Sequence, residues 1–571
     1  MDKQAAVHLL KMEDRTKNAN GDIEDEGAKQ KVNLDTILIE ELGQFGWFQL
    51  RTVILAAIMV IFAAWGASEF IFTTARISSR CLIPECELAS NTVFAPEWKP
   101  NAIPATSSGF DNCFRFENAT RRPDVIGDTC PATLFNRERV VGCDSFVYQN
   151  TDTVVYDYDL ACDEWRRTLI GSIRTLGTLM ALPITGYISD RWGRRIALTM
   201  NAFNTAWLGA TRYFAGTYIG FTISEFAEAM FGSAGFSCAY ILLMEIVGPK
   251  YRVAAGATMN TFFSIGQITM GLIAWAVPNW RMFTLALYLP QLFTISYLWI
   301  MTESIRWYMS KGRYEESEAL LKKIAKVNKK QLSDKSLVAL RETAEEEKKK
   351  QALEQAERVN EPWLIVQVFR HKKILIRCIV SPVWWITNTF VYYGLSINAV
   401  NMSGNRHLNY IAVAAADIPG YWSAVFLMAK IGRKPVLIGA FWICAACQLG
   451  YIFMPDGLYG ASLALYLIGK FSIAMVMTSV YVYTAELYPT KYRHSLFAFS
   501  SMMGRIGSIT APLTPAFGAA TFDDMPFVLF ASFALLSGAL IFLTPETLGT
   551  TLPDTMEQAS EIGQKKEEEK I

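Results

Sequence analysis

Apolar residues in this chain come in long runs, and polar residues crowd into the breaks between them. Twelve runs approach the ~20 residues a helix needs to cross about 30 Å of hydrocarbon. They cover residues 50–72, 168–188, 196–215, 217–243, 254–276, 282–301, 374–399, 410–428, 435–454, 459–483, 495–519 and 526–544. The pattern predicts an all-α membrane protein with twelve transmembrane helices. Charge gathers instead in residues 1–41, 303–373 and 548–571, and a long polar stretch, 73–165, separates the first run from the second. The first 45 residues are polar and mixed in charge, so no cleavable leader is expected.

The second set of six runs repeats the first. "EIVGPKYR" (245–252) returns as "ELYPTKYR" (486–493), 241 residues on. "WGRR" (192–195) returns as "IGRK" (431–434), Ile265-Gly266 as Ile506-Gly507, and "TES" (302–304) as "PET" (545–547), all near the same offset. Ordered matches at one offset mark a duplicated unit. The expected organisation is a segment 1–48, a six-helix half 49–301, a linker 302–373, a second half 374–545 and a tail 546–571. Within the linker, 313–327 and 341–357 read as charged helices. Two parallel six-helix halves are the architecture of a rocking transporter.

Composition supports a membrane class. Of 571 residues, 51% are hydrophobic and 19% charged, against ~25% charged in soluble domains. A net charge of +1 gives no reason to expect a nucleic-acid partner. Orientation follows from the short loops. Arg191, Arg194, Arg195, Lys250, Arg252, Lys430, Arg433, Lys434, Lys491 and Arg493 lie after runs 2, 4, 8 and 10, against Arg212, Arg281 and Arg406 on the other side. Both termini are therefore expected in the cytoplasm, with 73–165 outside. Six cysteines (Cys81, Cys86, Cys113, Cys130, Cys143, Cys162) fall in that external stretch and predict disulfides of undetermined pairing. Asn118-Ala119-Thr120 is a glycosylation acceptor there. Cys238, Cys378, Cys444 and Cys447 fall in apolar runs and read as packing residues.

Charge inside a span costs ~3 kcal/mol even on the lenient scale, so each instance is a site candidate. The acids are Glu69, Glu225, Glu228 and Asp417, and the bases Arg174, Arg377, Lys470 and Arg505. Glu69 is expected near water at an outer end, and Arg377 to snorkel to an inner one. Glu228 reads equally as a buried partner of Arg174 or Lys470 and as a substrate contact. Phe236, Tyr240, Trp384 and Tyr392 offer faces to an ammonium group, and Asn260 and Tyr421 complete the candidate lining. In the inner loops, Asp190, Arg194, Arg195, Glu245, Arg252 and Glu303, with Arg433, Glu486, Arg493 and Glu546 in the repeat, form a candidate gate that latches the halves. Ala429 stands where the repeat would carry Asp190. There is no P-loop, no metal-ligand spacing and no catalytic triad pattern, so neither enzyme activity, cofactor nor metal is expected. All four histidines lie outside the runs.

Further motifs give the chain a resemblance. "GQFGWFQ" (43–49), "GYISDRWGRR" (186–195), "YILLMEIVGPKYR" (240–252), "WYMSKGRYEESEALLKKIAKVN" (307–328), "YYGLSIN" (392–398), "AELYPTKYR" (485–493) and "PETLGTTLPDT" (545–555) occur together over residues 41–557. With the six-cysteine loop, they resemble the major facilitator superfamily, in its organic cation/anion/zwitterion solute carriers. "TESIRW" (302–307), Glu228 and Arg174 depart from that family's pattern. The resemblance implies a plasma-membrane carrier working by alternating access, with a monomer sufficient for transport and lipid as its surroundings. Arg505 matches the arginine of anion and carnitine-type members, Asp417 the family's acid in the eighth span, and Tyr421 the carnitine type. A small organic cation or zwitterion is the expected substrate. An organic anion exchanged for a dicarboxylate, supported by Arg505 and Lys470, is the alternative, and a transport-dead receptor a third reading.

Overall fold

The computed structural model describes residues 33–88, 92–106, 109–119, 130–358, 363–455, 457–550 and 552–562. Every expected apolar run is helical. In the first half these are α1 (Trp47–Thr73), α2 (Glu164–Trp192), α3 (Arg194–Thr211), α4 (Tyr218–Ile246), α5 (Arg252–Ala276) and α6 (Trp280–Ile300). In the second they are α7 (Lys372–Asn401), α8 (Arg406–Lys430), α9 (Arg433–Ile452), α10 (Tyr459–Leu487), α11 (Arg493–Thr510) and α12 (Met525–Ile541). Among the described residues, α1, α2, α4 and α6 to α10 are the eight helices long and apolar enough to cross a membrane.

The packing repeats as the sequence does. The pairs α1–α5, α2–α4, α3–α4 and α3–α6 recur as α7–α11, α8–α10, α9–α10 and α9–α12. The halves meet along two seams, α5 against α8 and α2 against α11. Small residues permit the close approaches. Gly271 sits against Ile411 and Tyr410, and Gly171 against Pro512. Side-chain hydrogen bonds that cross between the halves include Ser172 Oγ to the Ile509 carbonyl (2.8 Å) and Trp422 Nε1 to Thr261 Oγ1 (3.1 Å). Ring contacts add to the seam at the end near residues 73–165, where Phe72 meets Tyr410 at 5.0 Å and Trp165 meets Phe517 at 5.2 Å.

An all-α reading is incomplete for residues 73–165. That segment pairs Ser79–Cys81 with Phe146–Tyr148, and Phe114–Asn118 with Phe135–Gly142, all antiparallel. Disulfides join Cys81 to Cys143, Cys86 to Cys130 and Cys113 to Cys162. They enclose a small core with Ile83, Ile103 and Phe135. A segment this short on apolar surface needs such crosslinks to hold a fold. Asn118 is half-buried and its amide donates to Glu85 (3.2 Å). Thr120 of its acceptor motif lies outside the described residues, as do the expected chain ends 1–32 and 563–571.

At the opposite end, the linker forms helices Tyr314–Asn328 and Asp334–Arg358, with shorter Ile305–Ser310 and Leu364–Arg370. A helical segment at residues 34–42 lies on them, its Leu34, Ile37, Leu38 and Leu42 sharing one core with Leu321 and Ile324. The sequence pattern did not mark that segment. Its apolar residues are too few to stand out from a charged N-terminal stretch.

Candidate functional site

The charges expected within the spans divide into two groups with different fates. In the first half Glu69 (α1), Arg174 (α2), Arg212 (end of α3), Glu225 and Glu228 (α4) form one sealed network. Arg212 reaches Glu69 at 2.7 Å, Glu225 at 3.1 Å and Glu228 at 3.4 Å. Arg174 reaches Glu225 at 3.0 Å, and also pairs with Glu228 and the Gly66 carbonyl. Thr284 of α6 donates to Glu69 (2.9 Å), and Arg212 lies over the rings of Phe221 and Tyr288. Each guanidinium thus sits between carboxylates, which is what makes burial of charge tolerable.

This geometry corrects one expectation and decides another. Glu69 is fully buried rather than near water, because Arg212, at its helix end, folds inward to meet it. Of the two readings of Glu228, the buried partner of Arg174 is the one found: it is 0% exposed and held by two arginines, so in this conformation it has no free face for a substrate.

The second half pairs its charges more sparingly. Lys470 (α10) lies 3.6 Å from Asp417 (α8), donates to Ser396 (2.7 Å) and to the Tyr392 carbonyl (3.0 Å), and sits 3.4 Å over the Tyr392 ring. Tyr392 donates its hydroxyl to Asp417 (2.8 Å) and meets the Tyr421 hydroxyl (2.8 Å). All four side chains are sealed, so the expected substrate contacts at Asp417, Lys470, Tyr392 and Tyr421 form a closed polar core here. Trp384 is likewise buried, packed on Tyr483 at 5.9 Å rather than turned to a cleft. Arg377 does not snorkel. It is buried and donates to the carbonyls of Leu487 (3.1 Å) and Ala559 (2.7 Å).

Arg505 differs from all of these. It is half-buried on α11, and among the described residues no carboxylate pairs with its guanidinium. Aromatic faces on both halves keep exposed surface. Tyr240 of α4 is 36% exposed and Tyr481 of α10 is 41% exposed. Phe236 stacks on Tyr240 (6.1 Å, 26°), and Trp385 stands edge-on to Tyr481 (4.7 Å). Asn260 is half-buried on α5. Of the expected lining, Phe236, Tyr240, Asn260 and Arg505 keep exposed surface, whereas the residues above are sealed. Tyr481 was missed, since a tyrosine in an apolar run carries no mark of which way it points.

The expected gate residues gather in two matching clusters. Gly193 and Gly432 turn the chain with φ of +110° and +112°, values that suit glycine. A Cβ at either would strike the carboxylate of Glu303 or Glu546. Those carboxylates accept from the first free N–H groups of α3 and α9: Glu303 from Arg194 (2.9 Å) and Arg195 (3.1 Å), Glu546 from Arg433 and Lys434 (3.0 Å each). They satisfy donors that a helix start leaves open and complement its dipole. Burial pushes the Glu303 carboxyl up, and these N–H groups pull it back down.

Arg194 pairs with Asp190 (2.9 Å) and lies 3.5 Å from Glu245, while Arg433 pairs with Glu486 (3.0 Å). Arg252 pairs with Asp35 (2.6 Å), which also holds Arg306 (2.6 Å). Arg493 donates to the Tyr488 carbonyl (3.3 Å) and Thr490 (3.1 Å). Among the described residues every one of these ion pairs stays within one half or joins a half to the linker end. The expected latch across the halves is therefore not formed in this conformation.

Comparison with known proteins gives this geometry a context. Residues 140–558 match the family described as sugar (and other) transporter. The mouse organic cation/carnitine transporter 2 is 30% identical over 90% of this chain and 92% of its own length. A Drosophila melanogaster organic cation transporter protein is 28% identical over 92% and 95%. The Xenopus laevis solute carrier family 22 member 16 is 34% identical over 72% and 71%. Among solved structures, the E. coli xylose transporter XylE in a partially occluded inward open conformation superposes with a TM-score of 0.56 at 15% identity, covering 88% of this chain and all of that one. At that identity the likeness concerns the fold.

Proposed function

The chain belongs to the sugar (and other) transporter family, among the organic cation/carnitine solute carriers, and on that premise we propose that it moves small organic cations or zwitterions across the plasma membrane by alternating access. The observation that carries this reading is Arg505, a half-buried guanidinium on α11 with no carboxylate partner among the described residues. A substrate carboxylate would satisfy it with a charge-assisted bond. The faces of Tyr240, Phe236 and Tyr481 would take an ammonium group by cation–π attraction, about 2 kcal/mol when desolvated. The relatives' names, organic cation and organic cation/carnitine transporters, point to the same substrate class.

In this reading all twelve long helices span the bilayer, the disulfide-braced loop with Asn118 faces outside, and the linker and both termini face the cytoplasm. Contacts between the halves gather toward the loop end, while Tyr240 and Tyr481 are open to solvent. That arrangement fits a carrier caught facing inward. The Asp190–Arg194–Glu245 and Arg433–Glu486 clusters then act as gate elements by holding loop geometry within each half. The anion-exchange alternative loses one support, because Lys470 is already committed to Asp417.

The test is uptake into cells expressing the full chain, with labelled carnitine, tetraethylammonium, a biogenic amine and an aromatic carboxylate. Saturable uptake of carnitine or an amine is expected. Exclusive uptake of the carboxylate would assign the anion reading, and no uptake by surface-expressed protein would assign a receptor.

A further inference from the structure

A cavity lies at the end of the seam beside the disulfide-braced loop. This cavity of about 210 Å³ is lined by Phe72, Asp152, Trp275, Trp280, Arg406 and His407, with residues from both halves. It is below the ~300–1,000 Å³ of drug-sized sites, so a ligand here must be small.

Its polar groups are left over. The Asp152 backbone is engaged, its carbonyl accepting from Trp280 N–H (2.8 Å) and its N–H donating to Asn150 (3.3 Å). Its carboxylate has no hydrogen-bond or ion-pair partner among the described residues, and neither has the Arg406 guanidinium. His407 lies parallel between Phe72 (5.3 Å, 3°) and Trp275 (6.2 Å, 5°), and its Nδ1 is buried without a partner. The neighbouring charges are satisfied: Arg281 pairs with Asp157 (2.9 Å) and lies 4.4 Å over the Trp280 ring. Opposite charges that line one cavity without touching each other, between indole and phenyl faces, match a ligand that carries both signs.

We propose that this cavity is a second binding site, for a small zwitterion of the quaternary-ammonium carboxylate class. The carboxylate of the ligand would take Arg406, in the geometry that suits a guanidinium fork. Its ammonium would lie between Asp152 and the Trp275 ring. Asp152 and Trp275 belong to the first half, Arg406 and His407 to the second. An occupant therefore ties the halves at this end and favours the conformation described here, in proportion to its differential affinity for it. The site does not depend on what the central cleft carries.

The test is titration of purified full-length protein in detergent with glycine betaine, tetramethylammonium or acetate, followed by calorimetry. The charge variants are made in an Arg505→Ala background, in which the central cleft no longer holds a carboxylate, and glycine betaine is expected to bind that background saturably. Asp152→Asn and Arg406→Gln are each expected to weaken it at least tenfold, the loss of one charge-assisted bond. Tetramethylammonium should respond only to Asp152→Asn and acetate only to Arg406→Gln. Trp275→Ala, at a ring 46% exposed, is a separate check expected to weaken betaine and tetramethylammonium and spare acetate. No saturable betaine binding to wild type, or unchanged affinity in either charge variant, overturns the site. Loss of betaine binding in Arg505→Ala assigns the ligand to the central cleft, which overturns the outer site and leaves the proposed function standing.

Discussion

The two halves share a fold and spend charge in opposite ways. The first half buries three carboxylates and two guanidiniums in one closed network across α1, α2, α3 and α4. The second half buries a single Lys470–Asp417 pair and leaves Arg505 with no carboxylate partner among the described residues. Duplication copies backbone packing, but it does not copy what the polar positions are for. In the first half the charges hold helices to one another; in the second one charge stays available to something that arrives.

The largest effect should come from breaking the first-half network. Arg212→Ala strands Glu69 in the interior and leaves Glu225 with Arg174 alone, and removing one partner of a buried ion pair costs about 3–5 kcal/mol. Surface expression and melting temperature in detergent should fall sharply. The double variant Arg212→Met with Glu69→Gln should recover part of the loss, and absence of recovery would show that the two do not act as a pair. Arg505→Asp should do the reverse. Its fold should survive, because no described carboxylate depends on it, while affinity for a zwitterion falls ten- to a hundredfold, about 1.5–3 kcal/mol. Binding assays beside a melting curve separate the two outcomes, and unchanged zwitterion affinity would make Arg505 structural.

The gate clusters sharpen the contrast at smaller scale. Asp190 is 76% exposed on its side chain, so its pair with Arg194 contributes at most about 1 kcal/mol of stability. Asp190→Asn should therefore slow turnover and leave substrate binding and melting temperature near wild type. Lost binding by protein that still reaches the surface would remove the gate role. Glu546→Gln weakens the acceptor for two helix-start N–H groups and should cost roughly 0.5–2 kcal/mol, the range of a helix cap. Glu303→Gln should do the same in the first half, measured by melting. The smallest effect is expected at Asn118→Gln, where transport should persist and the protein band should shift as one glycan is lost.

Helix positions were legible because an apolar run long enough to cross hydrocarbon is a property of composition. The partners of the buried charges were not. Whether Glu228 meets Arg174, Arg212 or a solute depends on how five helices rotate about their axes. Helices that are apolar almost all round carry little record of that rotation. Glu225 and Glu228 could be placed on one face by their spacing, yet Arg212, at a helix end, gave no sign that it would turn inward. The cysteine pairing was open for the same reason: spacing limits connectivity and does not choose it. Arg505 was found by its charge alone, and its lack of a described partner could emerge only once every nearby acid had been accounted for.

The twin glycines at 193 and 432 carry a consequence for how this sequence can drift. Each shares its space with a carboxylate more than a hundred positions later, Glu303 or Glu546. A side chain at either glycine is blocked by that acid and by the left-handed backbone together, so a change at the acid alone does not free it. Single substitutions at these two points should therefore be purged in descendants while the loops around them diversify. The loss of an acid at Ala429, opposite Asp190, is the kind of change such a lineage can accept.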